Sequence, residues 1–256
     1  MHSVKIKKSE EIELIRHSAN ILSQMLGVVV HIAKPGVSLL HLDKIAEEYI
    51  RDNGAIPGCK GYEGFPNTLC LSVNDKVVHG IPNDYILKDG DIVSIDSCVL
   101  YKGFYSDATY TAMIGNVPSD VQKMVQTTKE SLYCGIENCR VGKCLGDIGH
   151  AIEQKVTSEH FHVVKQYSGH GIGKHMHEAP LVLNYGQPGK GMKIKNGFVL
   201  AIEPIVGFST GETITLDNGW DVVMKDDGCM SAHFEHTVAV YDNVPHVLTT
   251  FKYCEE

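Results

Sequence analysis

Lys88-Asp89-Gly90-Asp91-Ile92-Val93-Ser94-Ile95-Asp96 is answered, at an offset of 107 residues, by Lys195-Asn196-Gly197-Phe198-Val199-Leu200-Ala201-Ile202-Glu203. Each copy is a polar turn with a glycine, then an apolar strand that ends on a carboxylate. A second pair of segments, Lys34-Pro35-Gly36-Val37-Ser38-Leu39 and Arg140-Val141-Gly142-Lys143-Cys144-Leu145, repeats at an offset of 106 and opens a helical pattern each time. Two matches at nearly one offset predict a duplicated α+β fold. Its halves, about 9–115 and 119–241, are related by a pseudo-two-fold and share one central antiparallel sheet in a single domain, 1–256.

Outward from the repeat, Ser9 with Glu10 and Glu11 predicts a capped helix to about Ile32, and Ser38 caps a second through Ile50 that Asn53-Gly54 stops. Residues 55–68 read as a loop. Leu69–Val73 and Val77–Val78 read as short strands, and Ile92–Leu100 and Phe104–Ile114 as a hairpin turning at Tyr101-Lys102-Gly103. Ser119 with Gln122 predicts a capping box for a third helix through Cys139, and a fourth covers Leu145–Ser158. The remainder is β-rich, with strands over Val163–Tyr167, Val199–Val206, Trp220–Met224 and Phe234–Tyr241.

The chain of 256 residues is 43% hydrophobic, enough for a sizeable core, and its formal charge of −8 lacks the basic face that nucleic acid or an anionic membrane surface requires. The N-terminus, Met1-His2-Ser3-Val4-Lys5-Ile6-Lys7-Lys8, has no apolar signal core, and no apolar run is long enough to span a bilayer. Eight cysteines without a CxxC pair read as reduced thiols. A cytoplasmic, monomeric globular enzyme is expected.

Two features carry chemistry. Gly169-His170-Gly171-Ile172-Gly173-Lys174-His175-Met176-His177-Glu178-Ala179-Pro180 gathers three histidines, three glycines and a glutamate with neither helical nor strand period. It reads as a glycine-rich loop whose backbone can approach a ligand. The other feature is acidic. In the hairpin, Asp96 and Asp107 come within a residue or two of direct cross-strand partners, with Cβ atoms roughly 5 Å apart. Like charges that close require a proton or a cation. By the repeat, Glu203 takes the place of Asp96, and Glu235 that of Asp107. Four such carboxylates with His170 form a hard-oxygen set suited to two divalent ions of manganese, iron, cobalt or zinc. The bland alternative is buried carboxylates satisfied by backbone and lysine partners.

His79-Gly80-Ile81-Pro82, Asp96 with Asp107, Gly169–Gly173 with His177–Pro180, Ile202-Glu203-Pro204 and Glu235-His236-Thr237 together resemble the methionine aminopeptidases, in the short bacterial type I form, over about Ser9 to Tyr241. The resemblance implies the "pita-bread" (creatinase/aminopeptidase) fold. It also implies a metallopeptidase that removes the N-terminal methionine of nascent chains with a small second residue, by hydroxide attack at a dinuclear metal centre. It assigns Asp96, Asp107, His170, Glu203 and Glu235 to the metals, with Asp107 and Glu235 bridging. Glu203 becomes the proton shuttle, and His79 and His177 donors to the tetrahedral intermediate. Cys59, Tyr62, Phe65, Cys70, Met176 and Trp220 become the methionine pocket, although relatives often carry Tyr at the position of Phe65 and Phe at that of Met176. Only 32 residues separate His170 from Glu203, too few for the type II helical insertion. The start close to the first helix implies no zinc-finger or linker extension. Nascent polypeptide N-termini are the expected partners, with the ribosome surface a further one. The competing expectations are a proline-directed aminopeptidase or prolidase, and a non-catalytic protein-binding pseudoenzyme on the same fold.

Overall fold

The structure, a computed structural model, describes residues 4–256; the absence of a targeting segment read at Met1, His2 and Ser3 lies outside them. Four long helices frame the sheet: α1 (Ser9–Ile32), α2 (Leu39–Asp52), α3 (Ser119–Asn138) and α4 (Leu145–Ser158). The nine strands of the main sheet are β1 (Ile56–Pro57), β2 (Cys70–Val73), β3 (Ile92–Tyr101), β4 (Phe104–Met113), β5 (Gly169–Gly171), β6 (Glu178–Val182), β7 (Val199–Ile202), β8 (Glu235–Tyr241) and β9 (Val244–Val247). They run in the order β1-β3-β4-β8-β7-β5-β6, with β2 also on β3 and β9 also on β8. All pairings are antiparallel, and β4 against β8 joins the halves. The order β3-β4-β8-β7 is symmetric about that seam, so Asp96 lies on one outer strand and Glu203 directly follows the other, with Asp107 and Glu235 on the inner ones. No helix among the described residues is long and apolar enough to cross a membrane.

Alternation along the strands separates core from site. Val93, Ile95 and Val99 of β3 and Ala108 and Ala112 of β4 pack under α1 and α2 with Leu22, Leu26 and Leu42. Ser94, Asp96 and Cys98, and Asp107, Thr109 and Thr111, therefore share the opposite face. In the second half, Leu200, Ile202, Val238 and Val240 pack with Met124, Leu132, Ile148 and Ile152 of α3 and α4. The hairpin closes through Lys102 and Gly103, both left-handed at φ 47° and 85°. That turn matches the right-handed twist of its strands.

Several expected boundaries shift. α1 is capped at Lys8, not Ser9: the Lys8 N–H donates to Glu11 Oε2 at 3.0 Å and Ser9 already lies in the first turn. α3 starts after Pro118, and Gln122 donates back to the Val117 carbonyl at 2.7 Å, so the capping box at Ser119 does not form. Ser38 caps α2 as expected, accepting from the His41 N–H at 3.2 Å. The hairpin register pairs Asp96 with Thr109 and Cys98 with Asp107, so the two aspartates are diagonal neighbours two residues from direct register, as expected. Val199–Val206 splits into β7 and Ile205–Gly207, because Pro204 has no N–H for a ladder. Of Val163–Tyr167 only Val163 is in a strand, with His162; the strand expected at Trp220 starts at Val222.

The glycine-rich stretch is the largest correction. Gly169–Gly171 is a strand, not a loop. A Cβ at Gly169 would lie 2.2 Å from the Ala201 carbonyl oxygen, and one at Gly171 would lie 2.4 Å from that of Ala179. These glycines admit neighbouring strands rather than a ligand, and they hold His170 between β7 and β6.

Candidate active site

Asp96, Asp107, His170, Glu203 and Glu235 converge in one cavity of about 480 Å³, which His79, His177 and His233 also line. His170 Nε2 stands 3.8 Å from Asp107 Oδ2 and 3.6 Å from Glu203 Oε1. On its other side Nδ1 lies 2.9 Å from the Gly171 carbonyl. A carbonyl only accepts, so Nδ1 carries the proton and the Nε2 lone pair faces the carboxylates, the tautomer a metal ligand needs. Desolvation, with His177 beside it, lowers the His170 pKa to about 3.

Burial raises all four carboxyls, Glu203 to about 8, and the neighbouring carboxylates add to the rise at Asp96, Asp107 and Glu235. Among the described residues none of the four pairs with lysine or arginine, the partners that the bland alternative expects. Their neutral partners are few. The Thr109 hydroxyl lies 3.0 Å from both Asp96 Oδ1 and Glu235 Oε2, and Cys98 Sγ donates to Asp107 Oδ2 at 2.9 Å. Asp107 Oδ1 and Glu235 Oε1 are buried without any partner. Ligand atoms of Asp107, His170 and Glu235 lie within 4.8 Å of one another. Orphaned buried acceptors around a neutral imidazole fit a divalent cation.

Beside this cavity lies a smaller one of about 130 Å³ that includes all six residues expected there: Cys59, Tyr62, Phe65, Cys70, Met176 and Trp220. Phe65 and Trp220 meet edge to face at 5.1 Å, and Cys59, Phe65, Cys70 and Met176 are buried together. The two cavities share His79, Asp96, Asp107 and His177 as walls. His177 lies with Nδ1 2.9 Å from the Tyr62 hydroxyl, and its ring packs edge-on to His170 at 4.4 Å. His79 holds a left-handed backbone, φ 58°, between the rings of Tyr167 and Trp220. A histidine in that region stores strain that the surrounding structure must hold.

Three neighbours were missed from sequence. Cys98 and Thr109 follow Asp96 and Asp107 by two residues, so strand alternation would have found them. His233 precedes Glu235 by two; it is buried, with Nε2 unpartnered at 3.5 Å from Glu203 Oε2.

A duplicated antiparallel sheet that sinks four carboxylates and a metal-ready histidine beneath an apolar pocket defines a metal-dependent hydrolase. The profile of metallopeptidase family M24 matches residues 13–242, and the chain belongs to that family, in its methionine aminopeptidase branch. It is 47% identical to the methionine aminopeptidase of Clostridium perfringens over 96% of this chain and 99% of that one. The crystal structure of the Rickettsia prowazekii methionine aminopeptidase superposes with a TM-score of 0.95 at 35% identity, covering 97% of this chain and all of that one. The Pyrococcus furiosus prolidase, at 20% identity and TM-score 0.76, shares the fold.

Proposed function

We propose that the chain removes the N-terminal methionine from polypeptides whose second residue is small. One observation carries the reading: the small apolar cavity of Cys59, Phe65, Met176 and Trp220 opens against the carboxylate cluster through walls common to both. A thioether side chain seated there brings the first peptide bond to Asp96, Asp107 and the histidines. Polarisable sulfur and aromatic edges suit methionine better than a charged or β-branched residue.

Asp96, Asp107, His170, Glu203 and Glu235 would hold two divalent ions of the manganese, iron, cobalt or zinc kind. Bound there, such ions supply Lewis acidity toward water and the scissile carbonyl. Glu203 takes the proton of the attacking water and returns it to the leaving amine. His177 Nδ1 lies 2.9 Å from the Tyr62 hydroxyl; in the tautomer that accepts from that hydroxyl, the neutral ring carries its proton on Nε2, available as negative charge develops on the carbonyl oxygen. His79 approaches from the pocket wall as a second donor. The halves 9–115 and 119–241 act as one catalytic domain, and a single protomer carries the whole site. Nascent chains in the cytoplasm are the natural substrates, and co-sedimentation with ribosomes at low salt tests attachment there.

The deciding experiment measures free methionine released from Met-Ala-Ser by metal-stripped protein, with Mn²⁺ or Co²⁺ restored, beside Glu203→Ala. Metal-dependent release that the variant lacks is expected. Release independent of metal, or no release from folded protein, would overturn the reading.

A further inference from the structure

The cleft continues beyond the carboxylates. β6 is the last strand on its side of the sheet, and Leu181 lies in register with His170. Paired residues point to one face, so the Leu181 side chain rises beside His170, and it remains 67% exposed. Leu181 lines the carboxylate cavity and also a second, apolar groove of about 340 Å³. Leu145, Leu183, Tyr185 and Met192 form that groove, and Lys190 is the one charged side chain along it.

The groove is preformed. Its outer wall, residues 183–192, is fastened to the start of α4: the Leu145 N–H donates to the Met192 carbonyl at 2.9 Å, Gly146 to Lys190 at 3.0 Å, and Gly189 to Asp147 Oδ1 at 3.0 Å. Gly146 and Gly149 permit the contact, since a Cβ would lie 2.5 Å from the Gln187 carbonyl at one and 2.3 Å from that of Tyr185 at the other. Leu183 and Met192 nevertheless keep 38% and 44% of their surface open. Exposed apolar side chains in a fixed concave wall are a binding feature.

We infer that this groove is a second recognition site for the substrate, holding an apolar side chain of an extended peptide at one of the positions that follow the small second residue. The inference rests on the aminopeptidase reading: with the first side chain in the Cys59–Trp220 cavity, the rest of the chain must leave the cleft, and Leu181 is continuous with the groove. Extended peptide advances about 3.3 Å per residue, and alternate side chains share a face. The alternate residues Ala179, Leu181 and Leu183 mark a parallel path out. Pro180 interrupts the donors of the β6 edge, so recognition is by side chains rather than by adding a strand. The groove thereby makes the enzyme sensitive to residues well beyond the bond it cuts.

The test places leucine in turn at positions three to six of Met-Ala-Ser-Gly-Ser-Gly and measures kcat/KM with metal-loaded enzyme, beside Leu183→Asp and Met192→Asp, both first shown to melt as the parent does. One leucine position should gain about fivefold or more over the parent peptide, both variants should lose that gain, and all three proteins should cleave Met-Ala-Ser within twofold of one another. Cleavage of Met-Ala-Ser at a rate that no downstream leucine changes, or a gain that survives both substitutions, would overturn the groove alone. No cleavage of Met-Ala-Ser would overturn the aminopeptidase reading and this inference together.

Discussion

Lys7, just ahead of α1, pins the histidine-rich segment from a distance of 171 residues. Its Nζ lies 2.8 Å from Glu178 Oε2, both side chains are only 5% exposed, and its N–H donates to the Gly197 carbonyl at 2.8 Å. Glu178 in turn accepts from the His175 N–H at 3.1 Å, so the pair braces the turn that carries His177. The lysine stem runs where Gly173 has no side chain: a Cβ there would be 2.6 Å from Lys7 Cε. Lys7→Met keeps the stem and removes the charge, leaving a buried carboxylate without its partner. Breaking one side of such a pair costs about 3–5 kcal/mol. With an unfolding entropy of about 2.1 cal/mol/K per residue, that lowers Tm by about 6–9 °C for a chain of this length. Glu178→Gln strands the lysine and should cost a similar amount. The double variant should lose less than the two together, with a coupling of about 2 kcal/mol or more. Urea denaturation of the metal-free protein, followed by circular dichroism, measures all four states. A Lys7→Met loss below about 1 kcal/mol, or additive single effects, would refute a buried, coupled pair, because exposed pairs give only such values.

Three further outcomes are expected. Thr109→Val removes the hydroxyl between Asp96 and Glu235 and should weaken divalent-metal affinity by about 10–100-fold at unchanged stoichiometry, read by titration calorimetry; unchanged affinity would assign Thr109 to packing alone. His236 is neutral when folded, its pKa lowered to about 3 by burial, with a minor contribution from Lys129. The unfolded chain protonates it near 6.5, so its contribution is complete above that pH and is lost on acidification toward 3, by about 1.4 kcal/mol per pH unit. His236→Gln should therefore flatten the acid limb of the stability curve by about one proton, and an unchanged slope would contradict a neutral buried ring. Chelation should destabilise the protein and added Mn²⁺ or Co²⁺ restore it, by about 2.7 kcal/mol at a hundredfold excess over Kd, visible as a Tm rise in scanning fluorimetry; a Tm indifferent to both would separate the carboxylate cluster from metal binding.

The repeat at Lys88 and Lys195 and the strands that bear Asp96, Asp107, Glu203 and Glu235 were legible because both are local: a strand carries its own residue pattern, and a duplicated half carries its copy. The resemblance added His79, His177 and the six pocket residues, all of which line the two cavities. Other features escaped the sequence reading. Whether Ser9 or Lys8 caps α1 turns on a single residue of register, and propensity alone discriminates poorly at that scale. The glycines at 169 and 171 read as ligand-binding until the carbonyls of Ala201 and Ala179 fill the space beside them. His233 became part of the site only when its strand brought Nε2 to Glu203, and Leu181 joined cleft to groove only through its register with His170. The sequence alone therefore determined which side chains could do chemistry and which faces they would share, since both follow from residue type and period. Packing alone decided which of them meet, and which close contacts demand glycine, because those depend on distances between segments that the order of residues does not encode.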